Sequence, residues 1–354
     1  MLLRLPNNNW NQPEVLASWL ELSALSRDNG FIVRGAVAES LRDSNLFDKT
    51  AESGSQANDN IVEGSAASAL DDIWRVLEMR SQILNGAWPF QLTPDRLGRS
   101  LGNETLDSNA AYSAMLLIEA ASSKWFGDEI KIGHEEKIRI WFEHIAAASI
   151  KQLVKGTTVR FGSPFPKGWP SGFPNRVEKM ASEFGITHRA AEIDAYASTN
   201  QQDDSLDIVS RWRLVDEEPS SPYLLVQCAT GANWKAAKVA EPNMDLWRRY
   251  ISWNGPIYKA LAIPFALRGP GELKQISIRH HDTIVFDRIR LAAGRPDQLI
   301  EASLRRHLVR WCREKFNLLT NPGKRSTSEE TPSEAITKRP PHPRRTKVFR
   351  RSKT

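Results

Sequence analysis

Two acids three residues apart, Asp204 and Asp207, stand just ahead of the β-branched pair Ile208-Val209, and after a loop the apolar run Tyr223-Leu224-Leu225-Val226 leads into Gln227. A strand that carries an amide into a core must give it a partner, because an unsatisfied buried amide costs about 1–3 kcal/mol. If Leu214 and Tyr223 flank the turn of an antiparallel hairpin, Asp207 and Gln227 become cross-strand neighbours, within about 8 Å at Cβ. One hard divalent cation would then serve both. The Asp207 carboxylate, the Gln227 carbonyl oxygen, the main-chain carbonyl of Cys228 and several waters form the oxygen shell that magnesium prefers. A slip of one residue in register would undo this. Glu143, on a predicted helix upstream, is expected to orient a metal-bound water or extend the ligand set, with Asp204 as a further acid.

The elements that must position these groups follow from apolar periodicity. Lys137 to Val154 reads as a helix whose apolar side is Ile138, Trp141, Phe142, Ile145, Ile150 and Leu153, with Glu143 beside it. Thr157 to Gly162 alternates as a strand, Ser163 to Pro174 is a Pro- and Gly-rich loop, and Arg176 to Phe184 is a short helix. Strands are predicted over Asp207–Leu214 and Tyr223–Ala229, joined through Asp216 to Pro222, then a helix over Lys235–Trp247 interrupted near Pro242. Ile257–Leu267 and Thr283–Phe286 add strands, and Pro296–Phe316 reads as an amphipathic helix. Upstream, the patterns are helical: from Pro13, where Val15, Leu16, Trp19, Leu20, Leu22 and Leu25 recur at helical spacing, then over Leu70–Leu84 and Asn109–Phe126. Asp43 to Ser68 is rich in Ser, Asn, Asp, Gly and Ala and reads as a flexible insertion. The expected organisation is an all-helical unit over 1–126 with the insertion at 43–68, an α/β core over 127–320, and a tail over 321–354.

The order helix, strand, loop, strand, strand, helix, with Glu143 on the first helix, Asp204-Ser205-Leu206-Asp207 opening one strand and Gln227-Cys228-Ala229 closing the next, resembles the PD-(D/E)XK nuclease superfamily. The nearest likeness is to its Mrr-like restriction endonuclease branch, over roughly residues 137–247. The resemblance implies a restriction-endonuclease-like core with a mixed central sheet flanked by helices, and hydrolysis of DNA phosphodiester bonds with Mg²⁺ or Mn²⁺ as cofactor. It also implies a bacterial restriction or antiphage defence setting, and a companion ATPase or sensor protein as partner. The position of the family's catalytic lysine, two after Gln227, is Ala229. Lys235 or Lys238, on the helix that follows, is the expected replacement. If neither reaches the phosphate, the fold is left as a non-catalytic nucleic-acid-binding or scaffold subunit.

Composition narrows the remaining classes. The two cysteines, Cys228 and Cys312, exclude a disulfide framework and a thiolate-rich zinc site. His280, His281 and His307 lack a ligand spacing for zinc, and Cys228 inside a strand reads as packing rather than as a nucleophile. No Walker-type loop is present, so any ATP chemistry belongs to a partner. With no apolar run long enough for a membrane span and no leader-like start, a cytoplasmic location is expected. The net charge of +6 belongs to the tail, where Gly323 to Thr354 carries ten Lys or Arg against three Glu. Lys338, Arg339, Arg344, Arg345, Lys347, Arg350 and Arg351 there form a polycation suited to phosphate backbones, or simply to solubility.

Overall fold

A computed structural model describes residues 3, 5–6, 12–27, 30–44, 57–99, 104–126, 135–197, 202–214, 220–267, 275–276 and 283–321 of the 354-residue chain. The fold is α/β. Its centre is an open five-stranded mixed sheet in the order Thr283–Phe286, Ile257–Ala262, Tyr223–Cys228, Ile208–Arg211, Thr158–Arg160. The first three strands run parallel; Ile208–Arg211 is antiparallel to both its neighbours. Helices cover both faces, which explains why Tyr223–Cys228 is apolar without alternation and buried at every position.

The two faces bury different layers. Ile208, Leu224, Val226 and Cys228 point to the side where helix Glu135–Val154 contributes Phe142, Ile145 and Ile150. Val209, Tyr223 and Leu225 point the other way, onto an aromatic layer of Phe161, Phe173, Trp247 and Tyr250 whose rings meet edge to face. A third cluster, around Ala229, Trp234, Val239, Leu261 and Phe265, lies beyond the end of Tyr223–Cys228.

The N-terminal region departs from the all-helical expectation. Helices Pro13–Leu25, Ala57–Leu84 and Ala110–Ser122 pack around Trp19, Leu20, Leu77 and Met115, but a three-stranded antiparallel sheet is built in as well. Its order is Phe31–Val33, Arg96–Arg99, Phe90–Leu92. These strands have three or four residues each, too short for period-2 alternation to stand out. The 43–68 insertion is corrected in part: a helix begins at Ala57, where Ala66, Ala67 and Ala69 favour helix without marking an apolar face. The remainder of that segment, 45–56, lies outside the described residues. So does the tail from 322 onward, with all seven of its predicted nucleic-acid-binding residues. The apolar layer under the sheet continues into the N-terminal helices and into helix Ala302–Thr320, through Leu308, Trp311 and Cys312, so the region before 126 and the sheet share one core. Among the described residues, no helix is long and apolar enough to cross a membrane.

Candidate metal centre

The strand register makes the site. Pairing of Ile208 with Val226 sets Asp207 opposite Gln227, although the ladder stops at Arg211 and Tyr223, short of the predicted Leu214. Asp207 ties three strands together through its main chain: its N–H donates to Val226 O at 3.0 Å, and its carbonyl accepts from Phe161 N at 2.7 Å and Gly162 N at 3.0 Å. Its side chain therefore projects where three strands end, 7% exposed.

Asp207 Oδ2 accepts from Cys228 N at 2.7 Å and from Gln227 Nε2 at 2.7 Å. The same Nε2 donates to Cys228 O at 3.1 Å. Both partners of the amide are acceptors, so its nitrogen must face them, and it is the NH₂ rather than the carbonyl oxygen that meets Asp207. Gln227 thus positions the carboxylate, and its own Oε1, in a residue 5% exposed, has no hydrogen-bond partner among the described residues. The other carboxylate oxygen, Asp207 Oδ1, faces Glu143. A Cβ added to Gly162 would lie 2.8 Å from Asp207 Oδ1 and 2.8 Å from Glu143 Oε2. The missing side chain at Gly162 keeps open a space that two carboxylates address.

Glu143 is 1% exposed, near the middle of helix Glu135–Val154. Its Oε2 accepts from Arg160 Nη1 at 2.7 Å, and its Oε1 lies 3.8 Å from Arg139 Nε one turn earlier. Burial, then the neighbouring Glu143 charge, pushes Asp207 up to about 8, against the pull of the Cys228 N–H. Burial also raises Glu143, opposed by Arg160.

Two residues here escaped the sequence reading. Asp203, and not only its neighbour, is near the site: its Oδ2 accepts from Ser163 N at 3.3 Å and its Oδ1 from Ser205 N at 3.2 Å, and its charge pushes Asp207 and Glu143 further up. Asp204 turns aside to Tyr250, where its carboxylate and, more strongly, burial push the phenol up to about 12. Asp204 and Ser205 both have positive φ, 50° and 57°, and this turn exchanges the two acids. Arg160, the second omission, ends the strand Thr158–Arg160; an arginine among β-branched residues was the available signal.

The predicted lysines are engaged elsewhere. Lys238 Nζ pairs with Glu241 at 2.7 Å, and Lys235, exposed, lies 5.4 Å from the centre of the Trp234 ring. Ala229 is buried among apolar side chains. Cys228 offers only main-chain groups, its thiol being held well above the ordinary range by burial first.

Among the described residues, no three His, Cys, Asp or Glu side chains form a ready metal cage. The donors present are nonetheless of the kind magnesium takes: two carboxylates around an open space, an orphaned amide oxygen, and room for waters, since Mg²⁺ is normally held by one or two carboxylates and keeps much of its hydration. No family model, curated protein or solved structure matches this chain.

Proposed function

We propose that this protein is a metal-dependent endonuclease with a restriction-endonuclease-like core, hydrolysing phosphodiester bonds in DNA as the effector of a bacterial restriction or antiphage defence system. The observation that carries the reading is the buried pair Asp207 and Glu143 facing the space over Gly162, two acids of which one opposes the ionisation of the other. In support, the sheet brings Glu143, Asp207 and Gln227 to one strand end in the order in which the sequence resembles the PD-(D/E)XK superfamily. Asp207 Oδ1 and Glu143 would hold Mg²⁺ or Mn²⁺, and Gln227 Nε2 with Cys228 N would fix the Asp207 carboxylate plane by gripping Oδ2. The ion would supply charge stabilisation at the scissile phosphate and a lowered pKa for bound water. Gln227 Oε1 would accept from a water or face the ion. The basic tail would add DNA affinity, and the N-terminal region would dock a companion ATPase or sensor; a cytoplasmic location fits these partners.

A non-catalytic nucleic-acid-binding or scaffold subunit is the second reading. It is favoured by Ala229 at the expected lysine position and by the pairing of Lys238 with Glu241. Plasmid nicking with and without Mg²⁺ or Mn²⁺ separates the two. The parent is expected to nick only with metal, and Asp207→Ala to lose at least about a hundredfold in rate. Undiminished cleavage by Asp207→Ala would sink the site; metal-independent silence of the parent under every condition would favour the scaffold.

A further inference from the structure

The acid cluster has a cation of its own, and it is not a lysine. Arg160 is 9% exposed, whereas Arg139 beside Glu143 is 53% exposed at its side chain. Its guanidinium is anchored at both ends. Nη1 is shared between Glu143 Oε2 at 2.7 Å and Gly162 O at 2.9 Å, and Nη2 donates to the Pro164 carbonyl. Two main-chain carbonyls of the segment just after the strand therefore hold the fork, so it cannot swing away from Glu143 without losing them. A guanidinium also stays charged at any working pH, and its planar fork can serve a carboxylate and two carbonyls together, which an ammonium cannot do in the same geometry.

The geometry points to Arg160 as the resident counter-cation of this cluster: by its fixed positive charge, more than by holding Glu143 in place, it competes with a divalent ion for the Glu143 carboxylate. The inference rests on the metal-centre reading above and deepens it. Arg160 takes over part of what the absent motif lysine would supply, but from the end of strand Thr158–Arg160 rather than from the end of Tyr223–Cys228. Its presence lets two buried acids coexist before metal arrives. It also sets a weaker hold on that metal than two free carboxylates would have, because a unit charge a few ångströms from a divalent ion opposes binding strongly in a partly desolvated site.

The test is calorimetric titration of the full chain with Mn²⁺ near neutral pH, without nucleic acid, for the parent, Arg160→Met and Arg160→Lys. Arg160→Met is expected to bind Mn²⁺ at least tenfold more tightly, and Arg160→Lys to stay close to the parent because the charge is kept. A purely structural role would disorder Glu143 and weaken binding, so unchanged or weaker Mn²⁺ affinity in Arg160→Met overturns the inference. If Arg160→Met is unfolded alone, thermal melts with saturating Mn²⁺ decide: restored folding supports the counter-cation role, and no restoration overturns it. Parent binding with an unaltered Arg160→Met removes only this inference. Absence of Mn²⁺ binding by every variant, the parent included, removes the metal centre itself.

Discussion

The molecule buries charge in two places, and it treats them differently. Between the N-terminal helices and the sheet, Glu21 and Glu119 meet Arg80 and Arg288, two acids against two guanidinium groups, all 5% exposed or less. Glu21 Oε2 lies 3.0 Å from Arg80 Nη1 and 3.3 Å from Arg288 Nη2, and also accepts from Tyr112 Oη at 2.9 Å; its Oε1 accepts from Trp88 Nε1 at 3.0 Å. Arg288 pairs with Glu119 in addition. At the strand end, by contrast, Asp207 and Glu143 have one buried guanidinium between them, Arg160, which pairs with Glu143 alone, while Arg139 is half in solvent and Asp203 has buried Arg176 as its charge neighbour. The first cluster is balanced and every carboxylate has donors. The second has an excess of carboxylate, a hole over Gly162 and an orphaned amide oxygen. Balanced buried charge fastens elements together; the unbalanced acids at the strand end are what the proposed metal ion would offset.

The largest expected effect breaks the balanced cluster. Arg288→Met leaves Glu119 and Glu21 short of their shared partner and should cost about 3–5 kcal/mol in denaturant unfolding, because an unpaired buried charge is the expensive outcome. Pairing it with Glu119→Gln should recover a good part, since the substitution then removes an acid along with its base. A loss below about 1 kcal/mol in the single variant would mean that this cluster fastens nothing, and the contrast with the strand end would fall.

A smaller effect sharpens the other side. Gly162→Ala places a methyl 2.8 Å from both Asp207 Oδ1 and Glu143 Oε2, and neither carboxylate is a loose side chain: one is gripped by Cys228 N and Gln227, the other by Arg160. The expected cost is about 1–3 kcal/mol of overpacking together with loss of Mn²⁺ binding. Gly35→Ala, in helix Arg34–Arg42 with nothing within 4 Å of the added carbon, is the matched control and should cost no stability and leave Mn²⁺ binding unchanged. Equal Mn²⁺ affinity in parent and Gly162→Ala would show that the space over Gly162 is not where the ion goes.

How much of this could be read before the fold was seen depends on what kind of signal each residue leaves. Asp207 and Gln227 were legible because a strand-opening acid and an amide in an apolar run each conflict with a simple core reading, whereas Glu143, one helix acid among many, stood out only through the order of elements that carries the resemblance. Their meeting required only that the hairpin register put 207 across from 227, and it does. The direction of the Gln227 amide was not legible, since it depends on two acceptors, one of them a main-chain carbonyl. Nor was the choice of Asp203 over Asp204, which two successive left-handed residues decide. The balanced cluster left no trace at all in local pattern: Glu21, Arg80, Glu119 and Arg288 lie far apart in sequence and all four sit in helices, where charge usually means a wet face. The short strands Phe31–Val33 and Phe90–Leu92 were hidden for the complementary reason, having too few residues to show a period.

The subtlest prediction uses pH to tell the clusters apart. Asp207 is raised to about 8 in the folded protein from an ordinary carboxylate value near 3.8, so between those limits the native state keeps a proton that the unfolded chain gives up. Stability must then fall as pH rises through that window; the penalty is absent below the unfolded value and complete above about 8. The shift of Glu143 has the same sign and adds to it. Asp207→Asn removes the penalty. Its amide oxygen can keep the bonds from Cys228 N and Gln227 Nε2, while its NH₂ takes the place of Oδ1 and can donate toward Glu143. In chelator, Asp207→Asn should therefore match the parent near pH 4 and exceed it by about 1–2 kcal/mol near pH 9, the size commonly gained when a functional group is traded for a structural one. Burial raises Glu119 as well, but there Arg288 and Arg80 oppose it, and Glu119→Gln strips the acid from the guanidinium it pairs with and leaves Arg288 with less to hold, so it should destabilise at neutral pH. Parallel pH–stability curves for the parent and Asp207→Asn would show that Asp207 carries no proton at neutral pH, and the strand end would then be as settled as the core.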